Sequence, residues 1–160
     1  MNKQTILVAD DEENIRKLLS VVLKEQGYNI VLAADGEEAL AKFKTHEINL
    51  LLADIKMPKM DGLALLKEVK HIKENVPVIL MTAYADVDTA VEAIQHGAFD
   101  YLVKPFDLEE IKLLVKKVLQ PDQYEISDSE HALLNKFEFL DEEGIVKVLE
   151  TLSEEVLEKI

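Results

Sequence analysis

Five short apolar runs, each followed by a stretch with helical spacing, constrain this chain more than any other feature of its sequence. The runs are TILVA (5–9), NIVLA (29–33), LLLAD (50–54), PVILM (77–81) and DYLV (100–103). They are continuous rather than alternating, as expected of strands buried on both faces of a parallel sheet. Between them Ile15, Leu18, Leu19 and Val22 stand at i, i+3, i+4, i+7, followed by Ala39, Leu40 and Phe43, then Leu63, Leu66, Val69 and Lys70. Val87, Val91 and Ile94 follow the fourth run, and Leu108, Ile111, Leu114, Val115 and Val118 the fifth. Such spacing predicts amphipathic helices. Five strand–helix units make a doubly wound α/β domain, a five-stranded parallel sheet with five helices over its two faces. Ligands of such sheets bind outside the carboxyl ends of the strands, where the strand order reverses.

Composition narrows the function classes. The 160 residues include 18 Lys plus Arg against 32 Asp plus Glu, a net charge of -14, and no Cys. Disulfides and Cys-ligated zinc are thereby excluded, and a chain of this length removes roughly 70% of its unfolded surface from water without such staples. No apolar run approaches the ~20 residues of a membrane span, and the start MNKQT does not resemble a signal peptide, so a cytoplasmic protein is expected. An excess of acid is wrong for neutralising phosphates, so no direct nucleic-acid binding is expected.

The charge breaks near Pro121. Residues 1–120 carry 20 acids and 15 bases (net -5), whereas 121–160 carry 12 acids and 3 bases (net -9). The first segment reads as the domain, the second as a linker, PDQYEISDS, and an acidic helical tail. In that tail Ile145, Val148, Leu149, Leu152, Val156 and Ile160 form an apolar stripe with helical spacing. A short helical appendage packed on the domain and a dimerisation or partner-docking element both fit that pattern, and a homodimer is one partner it allows.

At the end of the first run stand Asp10, Asp11, Glu12 and Glu13, and Asp54 ends the third. Carboxylates converging on one rim repel one another unless a cation sits among them, and an all-oxygen set suits magnesium better than zinc. Thr82 ends the fourth run with a hydroxyl, and Lys104 follows the fifth with a mobile charge, both suited to phosphoryl oxygens. Together they supply the parts for aspartyl phosphorylation. Each residue alone also has an ordinary reading. Asp10 and Asp11 suit a helix cap, Thr82 a cap for the helix near Asp86, Lys104 a solvated loop charge, and Tyr101 a packed ring with a wet hydroxyl. His46, His71, His96 and His131 are far apart without ligand spacing and read as surface residues.

The segments ILVADDEENIR, LLLADIKMPKMDGLALL and VILMTAYADVDTAVEAIQHGAFDYLVKPFDLEEI, with Pro58 and Gly62 spaced after Asp54, resemble the receiver domain of bacterial two-component response regulators over about residues 3–120. They look similar both to receivers fused to ATPase transcription activators and to single-domain regulators of sporulation-type phosphorelays. The resemblance implies the flavodoxin-like strand order 2-1-3-4-5. It implies that Asp54 is the phosphoacceptor, served by a sensor histidine kinase or phosphotransfer protein. Asp11 and Asp54 would ligate Mg2+ directly, Asp10 through water, and the Lys56 carbonyl would complete the protein ligands. Lys104 would pair with the phosphoryl group, Thr82 would hydrogen-bond it, and Tyr101 would be the aromatic switch. The Lys104–Pro105 bond is expected to be cis. Lys56 and Tyr84 would screen the acyl phosphate from water. The output face would include Val91, Gln95, Tyr101, Phe106, Lys112 and Lys116.

The resemblance implies a phosphoacceptor signalling domain rather than an enzyme. A haloacid-dehalogenase phosphatase would need a second acid two residues after its nucleophile, where this chain has Lys56. An FMN binder would need a hydroxyl-rich phosphate loop where DDEE stands. A phosphorylation-independent scaffold of the same fold, acting through its tail, is the alternative.

Overall fold

The computed structural model describes residues 3–83 and 86–120. Tyr84, His131 and the readings made on 121–160 lie outside them. Five strands alternate with five helices: β1 (Thr5–Ala9), α1 (Glu13–Glu25), β2 (Asn29–Ala33), α2 (Gly36–Thr45), β3 (Leu50–Asp54), α3 (Gly62–Ile72), β4 (Val78–Thr82), α4 (Val87–Gln95), β5 (Asp100–Val103) and α5 (Leu108–Leu119). The sheet is parallel throughout with order β2-β1-β3-β4-β5, so the order reverses between β1 and β3. Every residue of β3 and β4 is buried, which is why these runs lack alternation.

Two cores flank the sheet. On one face α1 and α5 bury Leu19, Leu23, Ile111, Leu114 and Val115 against Ile6, Val8, Leu52, Ile79 and Met81. On the other, α2, α3 and α4 bury Ala39, Phe43, Leu65, Leu66, Val69, Ala90 and Ile94 against Leu7, Leu51, Val78 and Leu80. The helix faces are rotated slightly from those the spacing predicts. Leu18, placed on the inner face of α1, is 41% exposed, because the stripe that meets the sheet is Leu19, Val22 and Leu23. In α3 Leu65 joins Leu66 and Val69 inside, and the half-buried Lys70 donates from Nζ to the Val76 carbonyl at 2.6 Å.

Helix starts follow one rule with one exception. Asp35, Asp61, Asp86 and Asp107 cap α2, α3, α4 and α5, each accepting from a backbone N–H two or three residues on at 2.7–2.9 Å. The residue at that position of α1 is Glu12, and its side chain makes no capping bond. The acids that open α1 are therefore released from the usual duty of an acid in that place. Thr82 does not cap α4, since Asp86 does.

Candidate functional site

The register brings the site residues together. Ala9 pairs with Ala53 across β1 and β3, so Asp10 and Asp54 emerge side by side at the point where the strand order reverses. Asp10 is held by its N–H to the Ala33 carbonyl at 3.1 Å, and its own carbonyl accepts from Arg16 Nη1 at 2.8 Å. One Asp10 oxygen, Oδ1, accepts from the Glu12 N–H at 2.9 Å. That bond shapes the turn before α1 without capping the helix, which begins at Glu13, and the other Asp10 oxygen faces Lys104.

Asp54 ends β3 with its side chain 7% exposed. The Ile55 N–H bonds to the Met81 carbonyl at 2.9 Å, and the Gly62 N–H returns to the Ile55 carbonyl at 2.8 Å. Gly62 is required at that approach, because a Cβ there would fall onto the Asp54 carbonyl and lie 2.8 Å from Ile55 Cα. Asp54 Oδ1 accepts from the Lys56 N–H at 3.2 Å. The Lys56 side chain is exposed.

Lys104 closes the rim from the opposite side. Its N–H bonds to the Thr82 carbonyl at 2.7 Å, and the Lys104–Pro105 peptide is cis, as expected. Its ammonium stands 2.8 Å from Asp10 Oδ2, 2.9 Å from Asp54 Oδ2 and 3.6 Å from Glu12 Oε1. The solvated-loop reading of Lys104 is thereby overturned, since its side chain is 10% exposed and serves as an internal cation.

Asp10, Asp11, Glu12 and Asp54 each present an oxygen within 4.8 Å of the others. That is an open, all-carboxylate set with exposed members on one side, the donor chemistry a hard divalent cation accepts while keeping waters. The residues fit magnesium. Glu12 joins Asp10, Asp11 and Asp54 in this set, and in the sequence only its place at the α1 start, beside two other acids, points to it.

Burial pushes the Asp54 carboxyl above its ordinary 3.8, and the hydrogen bond from Lys104 opposes this without cancelling it. Burial works against the Lys104 ammonium too, but the hydrogen bonds to Asp10 and Asp54 outweigh it and hold the group above 10.5. The two effects share one cause, a charge cluster sheltered from water.

Tyr101 is fully buried within the α2–α4 core. Burial pushes its phenol up to about 12, against a hydrogen bond with the Thr82 side chain. Two expectations are corrected by this. The hydroxyl is not wet, and neither Tyr101 nor Val91, 8% exposed, belongs to an outer face, while Gln95 and Lys116 are exposed. His46, His71 and His96 are exposed as expected.

The family model for the response regulator receiver domain matches residues 6–116, and the chain belongs to that family. The regulatory protein AtoC of Escherichia coli K12 is 50% identical over 115 residues, covering 72% of this chain and 25% of AtoC. The transcriptional regulatory protein ZraR of the same strain is 43% identical over 114 residues, covering 71% of this chain and 26% of ZraR. The matched part of the chain thus spans about a quarter of these relatives' length. Among solved structures, the response regulator TrrA of Thermotoga maritima in complex with Mg2+-BeF is 42% identical, with a TM-score of 0.67 over 72% of this chain and 99% of that one. The CheX-CheY-BeF3-Mg2+ complex of Borrelia burgdorferi is 34% identical, with a TM-score of 0.69 over 72% and 88%. Among the described residues, no helix is long and apolar enough to cross a membrane.

Proposed function

We propose that this receiver domain accepts a phosphoryl group on Asp54 from the phospho-histidine of a sensor histidine kinase or phosphotransfer protein, in a reaction that requires Mg2+. The observation that carries this reading is the convergence of four carboxylates within 4.8 Å, two of them bridged by the Lys104 ammonium. The crystallised relatives in complex with magnesium and beryllium fluoride support it.

An Asp54 carboxylate oxygen attacks phosphorus as the phosphorus–nitrogen bond to the donor imidazole breaks, and the imidazole leaves with that electron pair. Asp11, Asp54, the Lys56 carbonyl and, through water, Asp10 would hold the metal, which when bound neutralises charge on the transferring oxygens. Lys104 lies within reach of Asp54 Oδ2 and would follow the new phosphoryl oxygens, leaving its contact with Asp10. The resulting acyl phosphate gives Thr82 an anionic acceptor stronger than the neutral Tyr101 phenol. Losing that bond frees the buried Tyr101 hydroxyl, and the change biases the packing of α4 and β5 as a population shift. The domain is then a phosphoacceptor that promotes its own modification and does not turn over a separate substrate.

The test is intact mass after incubation with acetyl phosphate and Mg2+. Wild type gains one phosphoryl group, while Asp54→Asn and a magnesium-free control gain none; equal labelling of Asp54→Asn would overturn the assignment.

A further inference from the structure

Leu18, Val21 and Leu113 are 41%, 57% and 58% exposed, three of the five large apolar side chains most exposed among the described residues. They lie on α1 and α5, which pack side by side over one face of the sheet. Leu18 and Val21 are one turn apart on the outer side of α1, and exposed Lys17 and Lys24 flank them. On α5 the exposed Lys116 follows Leu113 at i+3, with Lys112 beside it. Lys17 pairs with Glu13 at 3.1 Å and Lys112 with Glu109 at 3.0 Å, which leaves Lys24 and Lys116 without an ion pair among the described residues, in a chain of net charge -14.

The chain continues from α5 into 40 residues with 12 acids and 3 bases, whose positions 145–160 carry an apolar stripe at helical spacing. We propose that the segment 145–160 docks its apolar stripe on the α1/α5 face, over Leu18, Val21 and Leu113. Charge selects this occupant over a second copy of the chain. A two-fold dimer through this face would offer Lys24 and Lys116 only a second copy of the same surface, whose Glu13 and Glu109 are already paired, whereas the acidic tail brings 12 further acids of the opposite sign. A helix of about 16 residues also needs its apolar face covered to persist in water. Reach is no obstacle, since the 25 residues between Leu119 and Ile145 span roughly 80 Å when extended. The covalent link holds the segment near its site at an effective concentration of the order of millimolar.

Because the chain has no Cys, the proposal is open to a clean cross-linking test in the full protein. Val21→Cys is combined with Leu149→Cys or with Leu152→Cys, and each pair is oxidised mildly. The controls pair the same tail positions with Ile72→Cys, which is 49% exposed at the end of α3 over the opposite face. The expected result is a disulfide within monomers, at a rate independent of protein concentration and at least 10-fold above the Ile72 controls. Equal rates for both sets would overturn the proposal. Disulfides formed only between chains, at a rate rising with concentration, would overturn it in favour of a second copy.

Discussion

Replacing Lys104 by Met removes the only cation in contact with the Asp10 and Asp54 carboxylates among the described residues. The two contacts average about 2.85 Å; with an effective dielectric constant of 20, each is worth roughly 6 kcal/mol gross. Desolvation of several kcal/mol per ion offsets most of that, and taking one partner from a buried ion pair leaves a net loss of about 3–5 kcal/mol. Lys104→Met is therefore expected to lose about 3–5 kcal/mol at pH 7 in EDTA, a large share of the roughly 5–15 kcal/mol typical of a domain. Urea unfolding by circular dichroism measures it. The wild-type ammonium titrates above 10.5, so its contribution is complete below that pH and fades as the pH rises through its folded value. In the variant the unpaired carboxylates destabilise only when ionised, so the gap to wild type closes as the pH falls through the carboxylate range. Mg2+ at 100 times its dissociation constant adds about 2.7 kcal/mol, and its gain at one fixed concentration is expected to be larger for the variant, where no ammonium competes. A loss below about 1 kcal/mol in EDTA, or equal magnesium gains in both proteins, would refute this account of the cluster.

Other perturbations probe the same rim. Asp54 titrates above its ordinary 3.8, so wild type carries a penalty that is absent below that pH and grows as the pH rises through the folded value. Asp54→Asn should accordingly raise the thermal midpoint at pH 7 in EDTA, with the gain vanishing near pH 3; a lowered midpoint in EDTA at pH 7 would contradict it. Gly62→Ala forces a Cβ onto the Asp54 carbonyl and should cost about 1–3 kcal/mol and slow labelling of Asp54, whereas alanine at exposed Glu68 should do neither.

The order of elements was legible because a buried parallel strand is a continuous apolar run and the covering helices keep their own period. The rim was legible for a related reason: Asp10, Asp54 and Thr82 stand at strand ends, Lys104 directly follows one, and parallel pairing brings strand ends to one edge. What escaped were contacts set by side-chain direction. Glu12 reaches Lys104 across 92 positions of sequence, which no local pattern encodes. The inward packing of Tyr101 depends on the space left between β5 and α4, and the exposure of Leu18 on a rotation of α1 too small for spacing to resolve.

The central claim is that Asp54 itself receives the phosphoryl group. Borohydride reduces an aspartyl phosphate to homoserine, so peptide mass mapping after treatment with acetyl phosphate, Mg2+ and borohydride reads the acceptor directly. The account predicts homoserine at position 54, dependent on both the phosphodonor and Mg2+. Homoserine at Asp10 or Asp11 instead, or none at position 54 under conditions where the protein gains a phosphoryl group, would contradict it.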